Sequence, residues 1–250
     1  MSRLAIIGGT GLADLDGLDI GREESFDTPW GITSAPLLFG RFADREVIFL
    51  ARHGRPHAIP PHRVNYRANI HALQQAGADR IIAVNAVGGI TTPMMPGRLV
   101  IPDQIIDYTW GRGHTFFEDN LDEVVHVDFT RPYADSLRSL LVTAAEAEGL
   151  DAVEDGTYGA TQGPRLETAV EIERLERDGC DLVGMTGMPE AALARELQLD
   201  YASICVVVNW AAGKSDEEIT MDVIRGNLDK GIGKVHALLA AAIEQLVSSE

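Results

Sequence analysis

The chain has 250 residues, 45% of them hydrophobic, and a mean hydropathy near zero. This excludes a disordered, collagen-like or low-complexity protein. Its 21 basic residues stand against 38 acidic ones, a net charge of −17, so the general surface repels nucleic acid and anionic membranes, and an anionic ligand needs a local cationic pocket.

The first element in chain order is the apolar run Leu4-Ala5-Ile6-Ile7. It is too short and too uniformly apolar for a surface helix, and a buried strand fits it. The run leads into Gly8-Gly9-Thr10-Gly11. It is also too short for a signal peptide or a membrane span, so a soluble, cytoplasmic protein is expected. A second such run, Val47-Ile48-Phe49-Leu50-Ala51, leads into Arg52-His53-Gly54 and then a proline-rich excursion over 55–62. His53, His57 and His62 straddle Pro56, Pro60 and Pro61 with no helix to set their geometry and no carboxylate close in sequence, so no metal site is expected. Residues 65–77 carry helix formers and end in glycine. A third apolar run, Ile81-Ile82-Ala83-Val84, leads into Asn85-Ala86-Val87-Gly88-Gly89.

An aromatic-bearing loop follows over 110–127. Two further helices are expected, over 132–149 with Pro132 in the first turn, and over 166–179 with Thr168, Glu171, Ile172 and Leu175 at helical spacing. The last apolar run, Ile204-Cys205-Val206-Val207-Val208, ends in Asn209-Trp210. Ser215-Asp216-Glu217-Glu218 fits a capping box for a C-terminal helix, which Gly226, Gly231 and Gly233 are expected to break in two. The two cysteines, Cys180 and Cys205, are read as reduced.

This alternation implies an α/β protein: a single domain over 1–250, with a central twisted sheet, largely parallel or mixed, flanked by helices. Ligands of such sheets bind outside the carboxyl ends of the strands, so the polar exits converge on one site if the strands are parallel. Together they offer glycine backbone, a hydroxyl, an arginine and a histidine, a set suited to an oxyanion such as phosphate. Asn209, at the end of a buried strand, must find partners for its amide. Two nucleotide fingerprints fail. After Gly9-Thr10-Gly11, Asp14 stands where a dinucleotide motif needs Gly or Ala, and the P-loop glycine that should precede Gly213-Lys214-Ser215 falls at Val208.

The segments Gly8-Gly9-Thr10-Gly11-Leu12, Arg52-His53-Gly54-Arg55-Pro56-His57, Val64-Asn65-Tyr66-Arg67-Ala68-Asn69-Ile70, Gly163-Pro164-Arg165 and Gly184-Met185-Thr186-Gly187-Met188-Pro189-Glu190 together resemble the trimeric purine nucleoside phosphorylase and methylthioadenosine phosphorylase family. The resemblance covers essentially the whole chain and implies the nucleoside phosphorylase fold. It also implies phosphorolysis, in which phosphate attacks C1′ of a purine nucleoside and the free base leaves. Phosphate would be a co-substrate, with no cofactor, held by Thr10, Arg52, His53, Asn85, Ala86 and Thr186. Met185 would lie against the ribose, and Leu166, Glu167, Asn209, Trp210, Ala211, Met221 and Ile224 would surround the rest of the nucleoside. Catalysis would rest on Asn209 and Glu167 at the base and His53 at the phosphate. The family further implies a homotrimer, in which His57 and the loop around 114–117 reach a neighbour's site, and a place in purine salvage.

Methylthioadenosine phosphorylases carry Asp-x-Asp after the late strand, whereas this chain has Asn209, Trp210 and Ala211. An asparagine amide can donate to a carbonyl O6 and accept from N7–H, which suits a 6-oxopurine. Glu167 follows Gly163-Pro164-Arg165-Leu166, where 6-oxopurine phosphorylases of the family also carry glutamate, and it can accept N1–H. Its alternative role is a first-turn acid favoured by the helix dipole. Met221 lies near the position where enzymes accepting a 5′-hydroxyl usually carry histidine. It suits a methylthio group; ordinary helix core is its alternative. The expected reaction therefore splits S-methyl-5′-thioinosine with phosphate into hypoxanthine and 5-methylthioribose 1-phosphate. The alternatives are a general inosine and guanosine phosphorylase, a methylthioadenosine phosphorylase, or a nucleotide-binding regulatory module without turnover.

Overall fold

The computed structural model describes residues 3–248 apart from 13, 120 and 217. Along the chain the elements run β1 (Leu4–Gly8), β2 (Asp19–Glu24), β3 (Leu37–Phe42), β4 (Arg45–Ala51), α1 (Tyr66–Gln75), β5 (Arg80–Gly89), β6 (Leu99–Val100), β7 (Gln104–Asp107), α2 (Asp135–Ala147), β8 (Ala152–Val153), β9 (Thr157–Ala160), α3 (Ala169–Arg177), β10 (Leu182–Gly184), α4 (Glu190–Glu196), β11 (Asp200–Trp210) and α5 (Met221–Ser248).

The four apolar runs become β1, β4, β5 and β11, which lie side by side in the order β4-β1-β5-β11 and are all parallel. Their side chains are buried almost without interruption, because both faces of this part of the sheet are covered. An antiparallel meander, β2-β3-β4, extends one edge. On the other side β10 pairs antiparallel with the end of β5 and leads to β9 and β7, while β6 and β8 continue beyond β11. The sheet is thus mixed, with eleven strands among the described residues. α5 packs on β11 and α2, and α4 packs on β11 and α1. No helix among the described residues is long and apolar enough to cross a membrane. Both cysteines are buried and free.

Helix ends differ from expectation where local bonds decide them. Asn65 caps α1 by accepting from Ala68 N–H. α2 starts at Asp135, not at Pro132, because the Ala134 N–H is held by the Tyr201 carbonyl at 2.8 Å and only the next residue turns helical. α3 starts at Ala169, where Thr168 and Glu171 form a reciprocal capping box, leaving Leu166 and Glu167 ahead of the helix. The capping box expected at Ser215 does not start α5. Glu217 lies outside the described residues, the helix begins at Met221, and the Thr220 hydroxyl accepts from Val223 N–H at 3.3 Å. Nor do the glycines break α5: it is continuous to Ser248. Gly231 lies against Val206 of β11, where a Cβ would come within 2.3 Å of Val206 Cγ1, so this glycine serves close packing.

Candidate active site

β5 changes partner along one edge. It pairs with β1 as far as Ala83 and with β10 only from Gly88, so residues 84–87 have no strand beside them on that edge. Peptide groups alternate sides along a strand. The Val84 carbonyl points into this gap, where it accepts from Arg52 Nη1 at 3.0 Å, and two residues on the Ala86 N–H points the same way. A cavity of about 400 Å³ opens here, bordered by the exits of all four parallel strands. Of the residues expected at a site, all but Trp210 line it.

The exit of β1 is a turn closed by Leu12 N–H to Gly9 O at 3.0 Å. Gly11 supplies the positive φ, 80°, that a type II turn places at its third residue. A side chain on Gly9 would stand 2.5 Å from Val84 O and 2.9 Å from Arg52 Nη1; glycine lets this turn lie against both, with Thr10 at the cavity. Arg52 itself is wholly buried. Its Nε and Nη2 donate to the two carboxylate oxygens of Glu190, each at 2.8 Å, and the Tyr201 hydroxyl donates to Glu190 Oε1 at 2.8 Å. Burial alone would lower the pKa of Arg52, but the Glu190 carboxylate outweighs it and holds the guanidinium above its ordinary range.

His53 Nδ1 lies 2.8 Å from the Ile59 carbonyl. A carbonyl only accepts, so Nδ1 carries the proton and Nε2 is left as an acceptor. Burial, reinforced by the charge of Arg52, pulls the His53 pKa down to about 4, so the ring is neutral. The His57 ring, also shifted down by burial, is 4.4 Å from it and lines the same chain's cavity. Both ends of the Asn85 amide are engaged: Nδ2 donates to Ser203 Oγ at 2.6 Å, and Oδ1 accepts from Thr186 Oγ1 at 2.8 Å. Asn85 thereby fixes the Thr186 hydroxyl at the cavity. An oxyanion seated here meets hydroxyl oxygens, the Ala86 N–H, a neutral imidazole acceptor and the outer N–H groups of a paired guanidinium.

Asn209 reaches the cavity through a bulge. Val207 pairs with Val87, yet Asn209 pairs with Gly88, so Val208 is an extra residue, and such a bulge re-aims the next side chain. The Asn209 Nδ2 donates to the Trp210 carbonyl at 2.7 Å, which leaves one further N–H and Oδ1 of this cavity-lining amide for a ligand. Trp210 does not line the cavity: strand alternation turns its side chain away, and its carbonyl orients Asn209 instead. Glu167 precedes the α3 cap, so the helix-terminal role belongs to Glu171; the Glu167 carboxylate accepts from Thr161 Oγ1 at 2.6 Å. Met221, 57% exposed, is not core; it and Ile224, one turn apart at the start of α5, line the cavity.

Sequence reasoning gave no role to Glu190 and missed Arg112, whose guanidinium binds three segments together. It donates to the carbonyls of Thr161, Gln162, Met185 and Met188 at 3.2, 2.9, 2.9 and 2.6 Å. The stretch 114–117 is bound to its own chain, with Thr115 Oγ1 and Phe116 N–H on the Glu196 carboxylate and Phe116 against Trp30. Among the described residues no three His, Cys, Asp or Glu side chains are grouped to hold a metal ion.

A family model described as "Phosphorylase superfamily" matches residues 3–244. A Pseudomonas syringae protein named "Probable S-methyl-5'-thioinosine phosphorylase" is 58% identical over 243 residues, covering 97% of this chain and 99% of that relative. A "6-oxopurine nucleoside phosphorylase" of Pyrococcus furiosus is 47% identical over 248 residues, 97% of this chain and 92% of the relative. Among solved structures, a methylthioadenosine phosphorylase from Schistosoma mansoni in complex with adenine superposes with a TM-score of 0.95 at 32% identity, covering 100% of this chain and 93% of that one.

Proposed function

The chain belongs to the phosphorylase superfamily, and we propose that it cleaves S-methyl-5′-thioinosine with phosphate to hypoxanthine and 5-methylthioribose 1-phosphate. One observation carries the choice of substrate: Asn209, Glu167 and the exposed Met221 line a single cavity with the oxyanion-suited exits of β1, β4 and β5. The name borne by the relative from Pseudomonas syringae supports it.

Phosphate would sit among Thr10, Arg52, His53, the Ala86 N–H and Thr186. One phosphate oxygen forms the new bond to C1′ as the bond from C1′ to the purine breaks and its electron pair passes into the base. The sugar carries positive charge in that transition state, so the bound anion is both nucleophile and counter-charge. His53, neutral with Nε2 accepting, suits the protonated oxygen of a phosphate dianion. Negative charge developing on the leaving base is met by Asn209, which donates to O6 and accepts from N7–H once the base has taken up a proton there from water; Glu167 recognises the base by accepting N1–H. Met221 and Ile224 take the methylthio group. Phosphate is the only co-reactant, with no cofactor, in a cytoplasmic homotrimer serving purine salvage.

A second reading, a general 6-oxopurine nucleoside phosphorylase, is favoured by one observation: His57 lines the same cavity and offers a polar partner for a 5′-hydroxyl. Comparing kcat/KM for methylthioinosine, methylthioadenosine and inosine decides among these. The expected order places methylthioinosine first. A preference for methylthioadenosine would overturn the base assignment, and equal use of inosine would overturn the 5′ assignment.

A further inference from the structure

Glu167 stands on the wall between two cavities. One is the site described above. The other, of about 340 Å³, is lined by Thr161, Arg165, Glu171 and Arg174 together with Tyr108 and Trp110. Two guanidiniums line this second cavity: Arg165, paired with Glu171 at 2.7 Å, and Arg174, 3.7 Å from Asp178. Both are long side chains with most of their surface exposed, able to follow a carboxylate that turns toward them.

The bond that fixes the carboxylate comes from Thr161, whose Oγ1 donates to Glu167 Oε1 at 2.6 Å, with Gly184 O a longer second acceptor at 3.3 Å. Among the described residues this is the only hydrogen bond that the Glu167 carboxylate makes. Thr161 is itself clamped at both polar groups of its backbone. Its N–H donates to Gly184 O at 2.8 Å, and its carbonyl accepts from Arg112 Nη2 at 3.2 Å, with the next carbonyl, that of Gln162, on the same nitrogen at 2.9 Å. A hydroxyl mounted on a backbone fixed this way is in place before substrate arrives.

We propose that Thr161 is a positioning residue for base selection, its hydroxyl fixing the Glu167 carboxylate at the wall of the purine cavity. One carboxylate oxygen is then occupied and the other accepts N1–H, which a 6-oxopurine has and adenine lacks. The proposal rests on the reading of Glu167 as a base-contacting residue, and its test separates the two.

Thr161→Val removes the hydroxyl at nearly constant shape, and Thr161→Ser retains it. With Thr161→Val, kcat/KM for methylthioinosine and the affinity for hypoxanthine as inhibitor are expected to fall about tenfold, the scale of a lost hydrogen bond to a charged group. Adenine inhibition and the KM for phosphate should stay within about twofold, and Thr161→Ser should recover most of the loss. Equal weakening of hypoxanthine, adenine and phosphate would indicate a structural role and overturn the proposal, as would unchanged hypoxanthine affinity. Glu167→Gln is measured alongside. If it alters the preference for hypoxanthine over adenine while Thr161→Val does not, only the role of Thr161 falls. If Glu167→Gln also leaves the preference intact, the base-contacting role of Glu167 falls with it.

Discussion

Arg52 and Glu190, 138 residues apart in sequence, form a two-point ion pair in which neither side chain has exposed surface. The exit of β4 supplies one partner and the first residue of α4 the other, and the Tyr201 hydroxyl completes the carboxylate's bonding. The pair is neutral as a whole, so what it brings to the cavity is a rigid set of N–H donors. In a chain of net charge −17, anion binding here depends on such local donors and not on the overall field.

Removing one partner of a buried pair leaves the other charge uncompensated. Glu190→Gln is therefore expected to lower unfolding stability by about 3–5 kcal/mol in urea titrations. Combining Glu190→Leu with Arg52→Met should recover most of that stability while abolishing phosphate-dependent cleavage, because the apolar pair offers no donors. A double variant as unstable as Glu190→Gln would show that the lost stability is not that of an unpaired charge.

Asn209→Asp places a carboxylate where Nδ2 now donates to the Trp210 carbonyl at 2.7 Å. It sets anionic oxygen against both that carbonyl and O6 of the base. A loss of about 10²-fold in kcat/KM for 6-oxopurine nucleosides is expected, as for a buried polar mismatch, with a smaller loss for methylthioadenosine. An unchanged rate would mean that Asn209 does not face the base.

The four parallel strands were legible because burial on both faces leaves runs with no polar interruption. β2 gave no such signal: all six residues of Asp19–Glu24 are exposed. β6 and β8 have two residues each and β10 three, too few for a period, and α4 with seven residues spans only two helical turns. The site was legible for the same reason as the strands, since parallel strands carry their exits to one end of the sheet. What failed was local or remote. Trp210 misses the cavity because alternation along β11 turns its side chain to the face opposite its neighbour Asn209. Glu190 and Arg112 had no visible role because their partners lie 138 and 46–76 residues away.

The state of His53 sets an acid limit to stability. Its folded pKa, about 4, lies below its ordinary value of 6.5, so between these values the unfolded chain binds a proton that the folded chain refuses. Stability contributed by neutral His53 is thus complete above about pH 6.5 and is lost as pH falls toward 4, by roughly 3 kcal/mol over that window. His57 shifts in the same direction. Urea titrations at pH 7 and pH 4.5 should show a smaller decline for His53→Asn than for the parent protein. An equal decline would mean that the folded protein protonates His53 as readily as the unfolded chain.

Gly231 and Gly233 occupy the same helix but different surroundings. Nothing lies within 4 Å of a Cβ at Gly233, whereas at Gly231 it would stand 2.3 Å from Val206 Cγ1. Alanine favours a helix interior over glycine by about 0.8–1 kcal/mol, and Gly233→Ala should show that gain as a raised Tm with unchanged kinetics. At Gly231 the clash opposes it. Val206 is wholly buried and β-branched, with little rotamer freedom to yield, so α5 must move off β11, a loss of about 1–3 kcal/mol for overpacking. The same helix carries Met221 and Ile224 to the cavity, so its displacement should also raise the KM for methylthioinosine in Gly231→Ala. If both variants raised Tm alike, α5 would not be held against Val206, and the close contact could not be what positions the 5′ end of the site.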